Sequence, residues 1–293
     1  MSPRRWGRGL RAVLLGLLSA ACVANEPGGA AASAAYAAAM QGRKADALAA
    51  AQQLSAEQPL SGILAAGASG WELALPYQVL VRFGLWDELI AQQAPPAAAA
   101  GLTAASLYAR GFALAARGRI PEAQESLAQL RQLAGSTPAA TVGGHNRLTD
   151  LIAVADPVLA ARIAATQRHD AQAIALLRQA VSAEDALGAA APPDWFVPVR
   201  QILGEELLLV GEAAAAEAVY REDLARHADN GWSLYGLSLA LQAQGRAREA
   251  ARDAQRFAAA WRHADVRLPG SAFWYQGTDL AACECEHFGS GQR

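Results

Sequence analysis

In the stretch NGWSLYGLSLALQAQGR (230–246), apolar residues fall on two faces of a single helix. Leu234, Leu237 and Leu241 recur at three- and four-residue spacing, and Trp232, Tyr235 and Leu239 recur at the same spacing on the roughly opposite face. A helix serving one core needs one such stripe, so this helix is expected to have neighbours on more than one side. The pattern extends beyond it. A Gly-x-x-x-x-Ala element opens GRKADALAAA at Gly42, GRIPEAQESL at Gly118, GEAAAAEAVY at Gly211 and GRAREAARDA at Gly245. GLWDELIAQQ at Gly84 keeps it with Leu89 in place of Ala, and RHDAQAIALL at Arg168 keeps it with Arg in place of Gly. Each copy reads as a helix, a tight turn built on a residue that tolerates positive φ, and a second helix whose first turn presents a small side chain to its partner. The spacing predicts at least ten helices in antiparallel pairs and essentially no sheet.

Gly84 to Gly118 is 34 residues and Gly211 to Gly245 is again 34; the other intervals are 42, 50 and 43, a 34-residue unit with a loop added. Gly204 and Leu207 precede one turn, and Gly111 and Leu114 stand at the same offsets before another, with Leu203 and Leu107 upstream of them. Ala216, Ala123 and Ala173 are followed four residues later by Tyr220, Leu127 and Leu177. With this spacing the chain from about Tyr36 to about Ala264 resembles the tetratricopeptide repeat family, and the stretch from Pro192 onward is similar to exported bacterial repeat proteins of unassigned activity. Leu89, Arg168 and the retention of the repeat-end proline only at Pro59 depart from the family pattern. The resemblance implies an all-α α-solenoid of stacked antiparallel helix pairs, a superhelix with a concave face that binds a peptide or helix of another protein.

Aligned on the turn glycines, Trp232 and Tyr235 coincide with Trp71 and Tyr108, and Leu239 coincides with Phe112, Gln78 and Glu205. With Arg82 and Gln242 these residues form the expected partner-binding groove. The alternative for Trp232 and Tyr235 is packing against the preceding second helix around Val219 and Tyr220. Loops rich in helix breakers interrupt the array at 135–147 and 184–198, and the repeat pattern ends near Asp265. Residues 25–33 read as a flexible linker, 34–264 as the repeat domain, and 265–293 as a capping segment followed by a disordered tail.

Composition supports helices: 53% of the 293 residues are hydrophobic, aromatics are 6%, and the apolar content is Ala-rich with few β-branched runs. The net charge is −2 and Lys44 is the only lysine, which excludes the basic stripe that nucleic-acid binding requires. Residues 1–24 join an Arg-rich start, the uncharged run AVLLGLLSAACVA and small residues, the layout of a signal peptide. Export follows, to the periplasm or to a lipid anchor on the envelope membrane. LLSAAC resembles a lipoprotein signal with Cys22 as the lipidated residue; ordinary cleavage after Ala21 or Ala24 is the other outcome.

No metalloprotease, nucleophile-elbow, phosphate-loop or dinucleotide motif is present, so a non-catalytic interaction module without cofactors is expected, its partner another protein. A metal-handling role is the alternative, resting on Cys283, Cys285 and His287 in CECEH. Among the other histidines, His145 in VGGHNR stands out by its loop position. The acidic pairs Glu205–Glu206 and Glu222–Asp223 read as solvated helix faces or partners of nearby Arg.

Overall fold

The computed structural model describes residues 29–274 and is all-α among them, with one two-residue hairpin. Its helices are α1 (Gly29–Met40), α2 (Lys44–Glu57), α3 (Leu60–Ala65), α4 (Leu75–Arg82), α5 (Trp86–Ala91), α6 (Ala100–Ala116) and α7 (Ile120–Ser136). They continue as α8 (Leu148–Thr166), α9 (Asp170–Asp185), α10 (Val199–Leu209), α11 (Ala213–Arg226), α12 (Gly231–Ala243) and α13 (Ala247–Ala260). A 3-10 turn (Trp71–Leu73) precedes α4. Strands β1 (Val142–Gly143) and β2 (Asn146–Arg147) pair antiparallel, Val142 opposite Arg147, in the first of the expected loops. α1 packs on α2, each helix from α4 onward packs on its successor, and α1 on α4, α4 on α6, α6 on α8 and α10 on α12 join the first helices of adjacent pairs. The helical start at Gly29, with Ala31 and Ala35 buried, corrects the expected linker: GAAASAAYAAAM is almost all small helix formers and packs on α2.

The six repeat turns share one geometry. Gly42, Gly84, Gly118, Gly211 and Gly245 all have φ between 65° and 83°, and Arg168 joins them at 63°. In each, the next residue donates its N–H to the carbonyl five positions back, as in Arg43 to Ala38, His169 to Ala164 and Arg246 to Leu241, at 2.8–3.0 Å. This Schellman closure satisfies carbonyls the helix end would otherwise leave open. Past the turn, Ala47, Ala123, Ala173, Ala216, Ala250 and Leu89 are at most 1% exposed, at the crossing of the two helices. The closest crossing is aromatic: a Cβ on either Gly204 or Gly236 would overlap the Tyr220 ring, which sits between α10 and α12.

The last helix pair returns to the first. Trp232 Nε1 on α12 donates to Ala39 O on α1 at 3.0 Å, and its ring lies 6.1 Å from Phe83. Trp261, just after α13, packs over both Gly42 and Gly231. Asp265 accepts from Lys44 N at 2.6 Å and Ala45 N at 2.8 Å, capping α2 from the far end of the chain. The helices therefore form a closed circuit, with the first helix of each pair facing inward. Residues 266–274 do not lie across the outer face of the last pair, where a cap was expected. They run into the interior.

Candidate functional site

The interior is where the groove was expected, and two segments of the chain fill it. Along the C-terminal segment, Ser271 Oγ donates to Gln201 O at 2.8 Å and lies 2.6 Å from the Tyr220 hydroxyl. Ala272 N donates to Glu205 at 2.5 Å, and Trp274 Nε1 donates to Glu206 at 2.6 Å. Gly270 lies so close to the Glu205 carboxylate that a Cβ there would overlap it. Phe273 meets Trp232 edge-on at 5.9 Å, and Trp274 meets Phe112 at 5.6 Å with the Arg162 guanidinium 5.2 Å over its ring. The second segment, 187–198, is pinned by Trp71 Nε1 and Gln78 Nε2, both donating to Asp194 O at 3.3 Å. From it Trp195 packs on Tyr108 and Phe196 on Tyr36.

The open groove is corrected accordingly. Trp71, Arg82, Tyr108, Phe112, Glu205 and Trp232 point inward but are no more than 5% exposed, because the two segments or other interior side chains cover them. Arg82 donates to Gln201 Oε1 at 2.6 Å and stacks 3.6 Å over the Trp232 ring; burial lowers its pKa to about 9. Gln78, Tyr235, Leu239 and Gln242 are half-buried, and Tyr235 packs on Phe257 of α13 at 5.1 Å. The ring partners of Trp232 are Phe83, Trp261 and Phe273.

The acidic pairs also depart from expectation. Glu205, Glu206 and Asp223 are buried, and only Glu222 keeps to the surface, 3.3 Å from Arg200. Burial raises the Glu206 pKa, while the Trp274 indole opposes the shift.

A polar cavity of about 290 Å³ remains between α1, α9, α10, α11 and the 187–198 segment. Its wall includes Tyr36, Glu184, Asp185, Asp194, Arg200, Asp223 and His227. His227 Nδ1 lies 2.9 Å from Asp223 Oδ1, which raises the His227 pKa. Burial works to raise Asp223, but His227, Ser233 Oγ at 2.5 Å and Gln201 at 3.1 Å outweigh it and hold the pKa below the usual aspartate value. Burial pushes Glu184 up to about 7 against the Val199 N–H that it accepts at 3.1 Å. The same burial pushes the Tyr36 phenol up to about 12. A hydrogen-bonded imidazole, a carboxyl poised near neutrality and a phenol on one wall can exchange protons with, or bind, a polar molecule.

Sequence reasoning missed Tyr36, Glu184, Asp223 and His227. The four-residue spacing of Asp223 and His227 on one helix was a legible signal; the approach of Glu184 and Tyr36 depends on how the helix pairs curve. His145 anchors the interior loop, its N–H donating to Asp194 Oδ2 at 2.7 Å. Cys22, Cys283, Cys285 and His287 lie outside the described residues. Among the described residues no three His, Cys, Asp or Glu side chains gather as metal ligands, and no helix is long and apolar enough to cross a membrane.

No protein-family model, curated protein or solved structure matches this chain.

Proposed function

We propose that this protein is a non-catalytic binding protein of the bacterial cell envelope, a tetratricopeptide-like α-solenoid whose inner face recognises an extended peptide. The carrying observation is the seating of Gly270–Trp274. A backbone N–H meets Glu205, a serine bridges Tyr220 and Gln201, and an indole meets Glu206 within an aromatic wall. Main-chain hydrogen bonds and pockets for alternate side chains are how an extended peptide is held at a sheet edge, and here helices supply both kinds of contact. The six matching turns support the repeat architecture, and the signal-like start of the sequence supports export. In this reading the chain's own segment occupies the site until a partner peptide of similar chemistry replaces it.

The test uses the full chain and a fluorescein-labelled peptide with the sequence of residues 266–274. Trp274→Ala loosens the internal segment, so the variant should bind the peptide at least about ten-fold more tightly than wild type, a difference of about 1.4 kcal/mol. A Trp274→Ala protein with wild-type helicity that fails to bind the peptide would overturn the reading and make the segment a permanent part of the core.

A further inference from the structure

The cavity between α1, α9, α10, α11 and residues 187–198 is left open by both inserted segments, and its polar groups divide into those already matched and those that are not. Asp185 takes both terminal nitrogens of Arg200 at 2.7 Å and Arg226 at 2.7 Å. Asp194 takes the His145 N–H and the Asn146 amide, each at 2.7 Å, with the His145 ring at 3.2 Å. Asp223 takes His227, Ser233 and Gln201. Arg200 is thus fully committed to Asp185 and Glu222, while Arg226 gives one nitrogen to Asp185.

Four groups keep open positions. Glu184 accepts from Val199 N through Oε2, which leaves its other oxygen. The Tyr36 hydroxyl has no hydrogen-bond partner among the described residues, and His227 has only its Nδ1 engaged by Asp223. The Trp195 indole, 5% exposed, borders the same cavity, and its N–H finds no partner among the described residues. The wall is therefore polar and incompletely satisfied, in a space that holds more than one water molecule.

The balance of charge selects the ligand. Glu184, Asp185, Asp194 and Asp223 stand against Arg200, Arg226 and the imidazole of His227. An anion would meet four carboxylates, and the two guanidinium groups already face Asp185. A cation with several N–H donors would meet an unmatched carboxylate oxygen, a hydroxyl and two aromatic walls, Tyr36 and Trp195. We propose that this cavity binds a small primary ammonium compound, held by Glu184 and Tyr36 and entering beside the exposed Gly188 and Ala189. The site is separate from the inner face that holds Gly270–Trp274.

The groups facing the ligand give its pH dependence a sign. Glu184 must be ionised to hold a cation, and it becomes so as pH rises through about 7. His227 loses its proton as pH rises, which removes a positive charge from the wall. Asp223 and Asp185 are held below the ordinary aspartate value and Arg200 stays charged across this range, so both changes act together and affinity climbs with pH.

Isothermal titration of the full chain with n-butylamine near neutral pH tests the proposal, with butyrate as the anionic counterpart. Wild type should bind n-butylamine more tightly at about pH 8 than at about pH 6. Glu184→Gln, which preserves shape and the Val199 contact, should weaken binding at least about ten-fold. Tyr36→Phe should weaken it by a smaller factor at unchanged circular dichroism. The proposal is overturned if wild type gives no n-butylamine binding, if Glu184→Gln binds as wild type does while remaining folded, or if butyrate binds more tightly than the amine.

Discussion

Arg168 holds a backbone conformation that its five counterparts assign to glycine. An L-side chain in the left-handed region costs about 1–2 kcal/mol, partly offset because glycine loses more freedom on folding. Arg168→Gly should therefore stabilise the protein by roughly 0.5–1 kcal/mol in urea unfolding, the exposed ion pair to Asp170 at 3.7 Å contributing little. Glu184 behaves oppositely to a paired carboxylate. Its folded pKa of about 7 lies above the ordinary value, so the folded state favours the protonated form and loses stability as pH rises through that window. Glu184→Gln should melt above wild type at about pH 8 and at the same temperature at about pH 4. In Asp223 the folded pKa is depressed, and its contribution is lost only as acid protonates it. Only His227, one turn on from Asp223, distinguishes the two carboxyls locally; the burial of both, and Ser233 and Gln201 beside Asp223, come from other helices.

At the scale of the element, the Gly-to-Ala pattern was enough to locate all six turns, since each depends on residues adjacent in sequence. The Leu234, Leu237 and Leu241 stripe likewise lies in the core, at 3% exposure or less. The opposite stripe was legible as inward-facing, but not its cover: that comes from residues 187–198 and 266–274, whose compositions read as loop and cap. Trp274 could not be matched to Phe112 or Glu206 by any local rule. Small residues at crossings carry a direct consequence. Gly236→Ala should cost about 1–3 kcal/mol by forcing the Tyr220 ring from its slot, measured as a lower urea midpoint. Tyr220→Leu in the same chain should recover part of that loss, because the neighbours are coupled through one ring.

For the whole molecule, the contacts of Trp261 and Asp265 with the first helix pair matter more than their small number suggests. A linear array of repeats has two terminal units with a single neighbour each, and such units fray before the middle opens. Here the first unit is held on both sides, by α4 and by the end of the chain, so fraying has no natural starting point. Unfolding should be cooperative, with fluorescence and far-ultraviolet circular dichroism tracing one coincident transition and amides of α1 exchanging by the same global opening as those of α8. Asp265→Ala removes the cap on α2 at a cost of about 1 kcal/mol, a loss too small to unfold the protein. Its larger effect should be kinetic heterogeneity: α1 and α2 should begin to exchange ahead of the rest, turning a molecule that opens all at once into one that peels from an end.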